Sequence, residues 1–358
     1  MTLLLSNEDA EEILTMEECL DALDQAYREL SSGLATSGRR SDMTTKTELK
    51  DAVYSLKIMG GVVPGLEVGV VRINSDILTW PETDGVKRRV KVPRAPGDRW
   101  VGLVLLFSIK NGEPLAIFPD GVVQRMRVGG ASGLGIKYMA RKNAKSVALI
   151  GSGWQAGAQA MAAAAVRDIE TIRCFSPNRE NREAFCRQME PRIGVEMKPM
   201  ASAEAAVKDA DIVLCATNSA ANIFTRSWIE PGMHLGTIRD GELEPAAIAA
   251  ADVLVIHDPG NLSDSHILTT GNISIPDQET EVASSPELKD IASAPVLADV
   301  VAGKVSGRTA DDQVTCFLNY HGLGFQFAAT GMAFYKKARD LGKGRELPTE
   351  WFTENVHP

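Results

Sequence analysis

The stretch VALIGSGWQAG, Val147–Gly157, decides how the rest of the chain is read. An apolar run ends in Gly-x-Gly, and an alanine-rich segment follows without a break. A strand that feeds a glycine turn and then a helix is the local signature of a dinucleotide-binding fold. Gly151 permits the tight turn, and Gly153 lets the backbone approach a pyrophosphate. A helix that starts near Trp154 aims its free amides and positive dipole end at the phosphates. Ala156 stands where a third glycine is usual, and that position needs only a small residue for helix–strand packing. Trp154 and Gln155 lie inside the motif. Gly151, Gly153, Trp154, Gln155 and Ala156 are the expected cofactor contacts of this loop.

Strand and helix patterns alternate on from this point. TIRCFS, VEMKPM, DIVLCAT, HLGTI and DVLVIHD read as strands, and NRENREAFCRQM, SAEAAVKDA and LEPAAIAAA as helices between them. Strand–helix alternation at this spacing predicts an α/β fold with a parallel, doubly wound sheet of the Rossmann type. DIVLCAT is apolar throughout, as a central parallel strand must be. The domain covers roughly residues 130–312.

The end of its second strand carries Ser176, Asn178 and Arg179, followed by Arg182, and no carboxylate. An acidic residue there holds the ribose hydroxyls of NAD, whereas an arginine accommodates a 2′-phosphate. The sequence therefore favours NADP, with NAD as the alternative. Thr217, Asn218 and Ser219 close the fourth strand at the edge that faces the cofactor crevice.

The flanking sequence is organised differently. SNEDAEEILTMEECLDALDQAYREL is helical, with Ser6 as its N-cap. AVYSLKIMGG, VGVVRINSDIL and VGLVLLFSIKNGEPLAIF are strand candidates without intervening helices, and the last is a hairpin turning at Asn111-Gly112. The residues between them, 81–100, form a loop rich in Pro, Gly and charge, with a basic cluster of Lys87, Arg88, Arg89 and Lys91. The helix DGVVQRMRVGGASGLGIKYMAR leads into the nucleotide domain. After residue 312, VTCFLNYHGLGFQFAATGMAFYKKARDLG reads as one long apolar helical segment that crosses back. The first domain is thus expected to be discontinuous, 1–129 with 313–358, a substrate-binding and dimerisation α+β domain.

Composition narrows the function classes. The chain has 358 residues, 44% hydrophobic and 24% charged, with a formal net charge of −9. An acidic chain without a basic stripe is a poor nucleic-acid binder. Apolar runs stay under about ten residues, too short to span a bilayer. The start, MTLLLSNEDAEEI, turns acidic where a signal peptide would need an apolar core. A cytoplasmic protein is expected. The five cysteines and five histidines show no CxxC or paired-His spacing, so reduced thiols and no metal site are expected.

Several segments in order resemble the ornithine cyclodeaminase/μ-crystallin family. GRRS follows the first helix. The block Gly112–Ala156, containing PDGVVQRMRVGG and GSGWQA, matches the family's Asp-Gly…Arg motif and its Gly-x-Gly-x-Gln loop. DADIVLCATNS, WIEPGMHLGTI and a GR…DD…T tail follow. The resemblance implies a dimer of two-domain subunits and hydride exchange between a nicotinamide and the α-carbon of an amino or imino acid. It implies Arg127 and Arg40 as carboxylate ligands, with Arg39 if the register slips. The family's substrate lysine falls on Lys57, or on Arg72 if the strand VGVVRINS sets the alignment. The proton carrier falls on Asp240, with Glu242 as fallback.

Two departures stand out. A cation, Lys57, replaces the acid that ornithine cyclodeaminases use for a distal ammonium. The family's FKSxG tail is replaced by FLNYHGLGFQF, which offers Asn319 and His321 as contacts at the cofactor or the pocket, Asn319 being the cofactor candidate. The implied activity is an NAD(P)-dependent imine or amino-acid oxidoreductase, and the many cations admit an acidic or dicarboxylic substrate. The rivals are a cyclodeaminase with tightly held NAD and a non-catalytic NADP-dependent binding protein.

Overall fold

The computed structural model describes residues 1–83, 86–87, 90–219, 221–257, 266–270, 285–288, 290–320 and 322–356. The chain divides into two compact units. One comprises Met1–Arg127, Asp264–Gln278 and Leu323–Pro358, and the other Val128–Ser263 and Glu279–Gly322. The division falls within the helix Gly121–Met139.

The second unit is built on a seven-stranded sheet. Its strand order is Glu196–Pro199, Thr171–Phe175, Ser146–Ile150, Ile212–Cys215, His234–Thr237, Thr315–Leu318, Val253–Ile256. Every pairing is parallel. The order reverses between Ser146–Ile150 and Ile212–Cys215, and ligands of such sheets bind beyond the carboxyl ends of the strands at that switch point. Ile212–Cys215, His234–Thr237 and Thr315–Leu318 are buried at every residue, in keeping with a parallel interior covered on both faces.

Thr315–Leu318 corrects the sequence reading, which placed these residues in a helix. A continuous apolar run carries no period to separate the two states, and the β-branched Val314 and Thr315 suit the sheet. The correction moves the end of the second unit from residue 312 to residue 322.

At the amino edge of this sheet lies a buried polar cluster. Thr315 Oγ1 donates to the Met139 carbonyl at 3.1 Å. Its proton is therefore engaged, and His234 Nδ1, 2.9 Å away, is the donor in their shared bond. His234 Nε2 is buried with no hydrogen-bond partner. Arg308 closes the cluster, donating to the carbonyls of Met139 at 2.7 Å and Met233 at 3.3 Å.

The first unit carries a mixed ten-stranded sheet. Its main path runs His266–Thr269, Ser41–Lys46, Ala52–Val63, Val68–Thr79, Val101–Ser108, Pro114–Pro119, Thr2–Leu4, Arg345–Leu347. The strand His266–Thr269 lies far from its partner Ser41–Lys46 in sequence and was not foreseen. Helices Met16–Ser31 and Gly324–Asp340 cover one face of the sheet. Gly324–Asp340 begins so close to the sheet that a Cβ on Gly61 would lie 2.4 Å from Phe325 N, and one on Gly324 would lie 2.0 Å from Gly60 O. Glycine at both positions makes the approach feasible.

Two further local expectations are revised. The N-terminal helical segment is two helices, Asn7–Ile13 and Met16–Ser31, each opened by a capping box, at Ser6/Asp9 and Thr15/Glu18. Loop 81–100 contributes a strand, Val90–Val92, antiparallel to Ile77–Thr79. All five cysteines are free and buried. Among the described residues no helix is long and apolar enough to cross a membrane.

Candidate functional site

In the second unit the glycine loop has the form a phosphate requires. Gly151 sits at φ +124°, and a Cβ there would lie 2.2 Å from the Ala216 carbonyl. Gly153 is the N-cap of helix Trp154–Val166, and no side chain caps its free amides. A Cβ on Gly153 would meet nothing within 4 Å, so the space before the helix is open to a ligand. Ala156 is fully buried, as its packing role demands. Gln155 Oε1 is a buried acceptor with no partner, and Trp154 is 56% exposed beside it. Open backbone amides and a dipole end fit the diphosphate of a dinucleotide.

The end of strand Thr171–Phe175 separates the predicted residues. Ser176 accepts from Ser152 Oγ at 2.8 Å, which ties it to the glycine loop. Asn178 caps helix Arg179–Ile193, its Oδ1 accepting from Asn181 N at 2.8 Å. Arg179 is paired with Glu183 on the helix surface at 2.7 Å. Arg182 turns back to the strand, donating to Ser176 O at 3.0 Å with its guanidinium 5.9 Å from the Phe175 ring centre.

Thr217 and Ser219 follow the fourth strand in a tight turn, Ser219 N donating to Thr217 Oγ1 at 3.3 Å. Asn218 is exposed between them. Asn319 Nδ2 is held by Val128 O at 3.0 Å and Ser132 Oγ at 2.9 Å, and its Oδ1 is a buried orphan. Asp240 is partly exposed in the turn after the fifth strand, and its Oδ1 accepts from Gly241 N at 2.9 Å. Glu242 is 0% exposed. Its carboxylate is enclosed by donors of the fold, so the fallback role of proton carrier does not suit it.

The first unit gathers the predicted substrate residues on one sheet face. Along Val68–Thr79 the inward positions are Val68, Val70, Arg72, Asn74, Asp76 and Leu78. Three consecutive inward positions are thus polar. The register sets Asp42 opposite Lys57, Lys57 opposite Asn74 and Asn74 opposite Gly102. A row of polar residues, Asp42, Lys57 and Asn74, therefore crosses three strands and meets Gly102 on the fourth.

Each of three cations meets an aspartate. Arg40 grips Asp42 through two bonds, at 2.7 and 3.0 Å. Lys57 Nζ lies 2.9 Å from Asp76 Oδ2, and Lys91 lies 3.0 Å from the same oxygen. Burial pushes the Asp76 carboxyl up, but Lys57 and Lys91 outweigh it and hold it below its ordinary value. Arg72 donates to Asp120 Oδ2 at 2.9 and 2.7 Å, and Asn74 adds a bond at 2.8 Å.

Arg127 differs. It is 5% exposed, and it donates to amide oxygens, Gln326 Oε1 at 3.0 Å and Gln124 Oε1 at 3.2 Å. Burial, and then the charge of Arg72, push its pKa down to about 9. Gln326 is oriented in turn by Tyr27, to which it donates at 2.8 Å.

Asp42, Asp76, Asp120 and Asn74 were not singled out from the sequence. The signal was there for two of them: Arg72, Asn74 and Asp76 recur at every second residue, the period of a strand face. Of the basic cluster, Lys91 is described, while Arg88 and Arg89 lie outside the described residues, as does His321.

Comparison with known proteins gives a consistent picture. A sequence model of the "Ornithine cyclodeaminase/mu-crystallin family" matches residues 1–341. A Delta(1)-pyrroline-2-carboxylate reductase from Bacillus cereus is 27% identical over 350 residues, 96% of this chain and 99% of its own. An alanine dehydrogenase from Archaeoglobus fulgidus is 25% identical over 363 residues, 97% of this chain and 98% of its own. The solved Thermococcus litoralis Delta(1)-pyrroline-2-carboxylate reductase, in complex with NADH and L-proline, superposes with a TM-score of 0.78 at 25% identity, covering 97% of this chain and 100% of that one.

Proposed function

The chain belongs to the ornithine cyclodeaminase/mu-crystallin family, and from that premise we propose that it is an NAD(P)-dependent oxidoreductase that reduces an imino acid to an amino acid, or runs the reverse oxidation. The carbon–nitrogen double bond of the substrate gains a hydride at the α-carbon and a proton at nitrogen. A bound nicotinamide dinucleotide supplies the hydride, and the Gly151–Ala156 loop and Ser176 hold its diphosphate and adenosine half. NADP is the preferred form, because no carboxylate stands at the end of the second strand.

The observation that carries the reading is Arg127. A buried guanidinium bonded to neutral amides has charge and donors to offer a carboxylate, and arginine binds carboxylates in bidentate fashion. The charges of Arg40, Lys57 and Arg72 in the same unit are already matched by Asp42, Asp76 and Asp120. The balance suits one substrate carboxylate better than two. Asp240, the partly exposed acid after the fifth strand, moves the proton on and off nitrogen.

The uncovered face of the first sheet carries Val101, 39% exposed, and Leu103, 40% exposed. A second copy of the chain covering that face gives a homodimer, which sedimentation or light scattering detects. The cytoplasm is the proposed location.

The experiment is NADPH and NADH oxidation across cyclic imines and keto acids with ammonia or methylamine. Turnover with a monocarboxylic imine that Arg127→Gln abolishes supports the proposal. Ammonia release from a diamino acid without net cofactor consumption would instead make it a cyclodeaminase. Tight dinucleotide binding without turnover on any of these would make it a binding protein.

A further inference from the structure

Glu242 has a place in the second unit that the reaction as described does not use. Its carboxylate takes five hydrogen bonds. Oε1 accepts from Thr217 N at 2.5 Å and Thr217 Oγ1 at 3.0 Å. Oε2 accepts from Thr237 Oγ1 at 2.7 Å and from the backbone amides of Ile238 and Arg239 at 3.2 Å each. The main chain continues the stitch, the Glu242 carbonyl accepting from Ile223 N at 2.9 Å and Phe224 N at 3.2 Å. One residue thus joins the segments that leave two neighbouring strands, Ile212–Cys215 and His234–Thr237, at their carboxyl ends.

That edge is where a doubly wound sheet binds its ligand. The Thr217 turn leads to Asn218 and Ser219, and the Ile238–Gly241 turn carries Asp240. Neither turn is a regular element, so neither holds its shape by backbone ladder bonds. A carboxylate, which only accepts, matches five donors converging on two oxygens. An amide would turn an NH2 group toward N–H donors.

We propose that Glu242 is a positioning residue for the nicotinamide half of the dinucleotide, holding the Thr217 turn and the Asp240 turn in the one shape that this half needs. It reaches no reacting atom and acts through the two turns. The inference rests on the dinucleotide reading given above.

The test is calorimetric titration of the Glu242→Gln protein with four ligands: NADH, NADPH, ADP-ribose and 2′-phospho-ADP-ribose. The last two lack nicotinamide and probe the adenosine half alone. The expected result is wild-type affinity for the ADP-ribose of the preferred series and at least a tenfold loss for the matching NAD(P)H. Thr237→Val, which removes one donor and keeps the carboxylate, serves if Glu242→Gln does not fold. A selective loss of threefold or more is expected from it.

Equal losses for the two halves, or no loss at all, overturn the proposal and leave the cofactor reading intact. Failure of the wild-type protein to bind any of the four overturns the cofactor reading and the proposal with it.

Discussion

Arg72 and Arg127 each hold the guanidinium carbon 5.2 Å from the centre of the Phe327 ring. Their partners differ: Arg72 is bonded to the Asp120 carboxylate and Arg127 to two amide oxygens. The aromatic ring gives both cations a favourable neighbour, but Asp120 neutralises one of them. Arg127→Gln is therefore expected to raise or leave unchanged the urea midpoint, since it removes a buried charge that no carboxylate bonds directly. It should reduce kcat/KM by roughly 2–5 kcal/mol worth of carboxylate recognition. A large drop in stability with intact turnover would refute the assignment.

The Arg72 pair depends on a glycine. A Cβ on Gly102 would lie 2.0 Å from Asp120 Oδ1 and 2.4 Å from Asn74 Nδ2. Gly102→Ala must displace the carboxylate that three donors share. The expected cost is about 1–3 kcal/mol, as for overpacking elsewhere, together with a higher KM for substrate. Chemical denaturation and steady-state kinetics check the two effects separately, and wild-type values for both would count against the Asp120 clamp.

Lys57 and Asp76 form a buried pair. Lys57→Met leaves the Asp76 carboxylate with Lys91, and Asp76→Asn removes the carboxylate that both lysines share. Each single variant is expected to be less stable than the double variant. The cycle should return a coupling on the order of 1–3 kcal/mol, and additivity within error would show the pair to be inert.

How much of this was legible beforehand depends on the kind of signal. The glycine loop was legible because Gly151 and Gly153 have steric reasons that hold in any such fold. Arg127 was legible through its motif. Its partner Gln124 stands one helical turn away, but Gln326 was not legible, because it lies 199 residues away and sequence spacing says nothing about such contacts. The strand Thr315–Leu318 was merged with the helix Gly324–Asp340 because both are apolar, although Gly322 and Gly324 mark the break. Thr15 and Glu18, a Thr-x-x-Glu box, likewise marked the second N-terminal helix. Asn178 and Arg179 were chosen for their position after a strand, and the structure gives both a local task on their own helix.

The buried histidine makes a pH prediction. Burial, then the charges of Arg308 and Arg167, push His234 down to about 3. In the unfolded chain a histidine titrates near 6.5 (about 6–7). Between those values the unfolded chain binds a proton that the folded chain refuses. Stability is therefore complete above about pH 6.5 and falls on acidification at roughly 1.4 kcal/mol per pH unit from this group, until pH reaches about 3. Urea titrations at pH 7, 6, 5 and 4 read the slope. His234→Gln should lower stability at pH 7 but flatten that slope, and an unchanged slope would show that other groups carry the acid response.

The pairing of Thr2–Leu4 with Arg345–Leu347 bears on how the polypeptide is made. Thr2–Leu4 leave the ribosome well before the sheet neighbour they share an edge with, Arg345–Leu347. The middle of the chain holds a sheet complete in itself, and domains fold as units during synthesis. The second unit can therefore form while the N-terminal strands, paired only among themselves, still lack the edge strand Arg345–Leu347 and the covering helix Gly324–Asp340. Translation arrest before residue 345 should yield nascent chains whose central unit resists protease while the N-terminal segment is still cut.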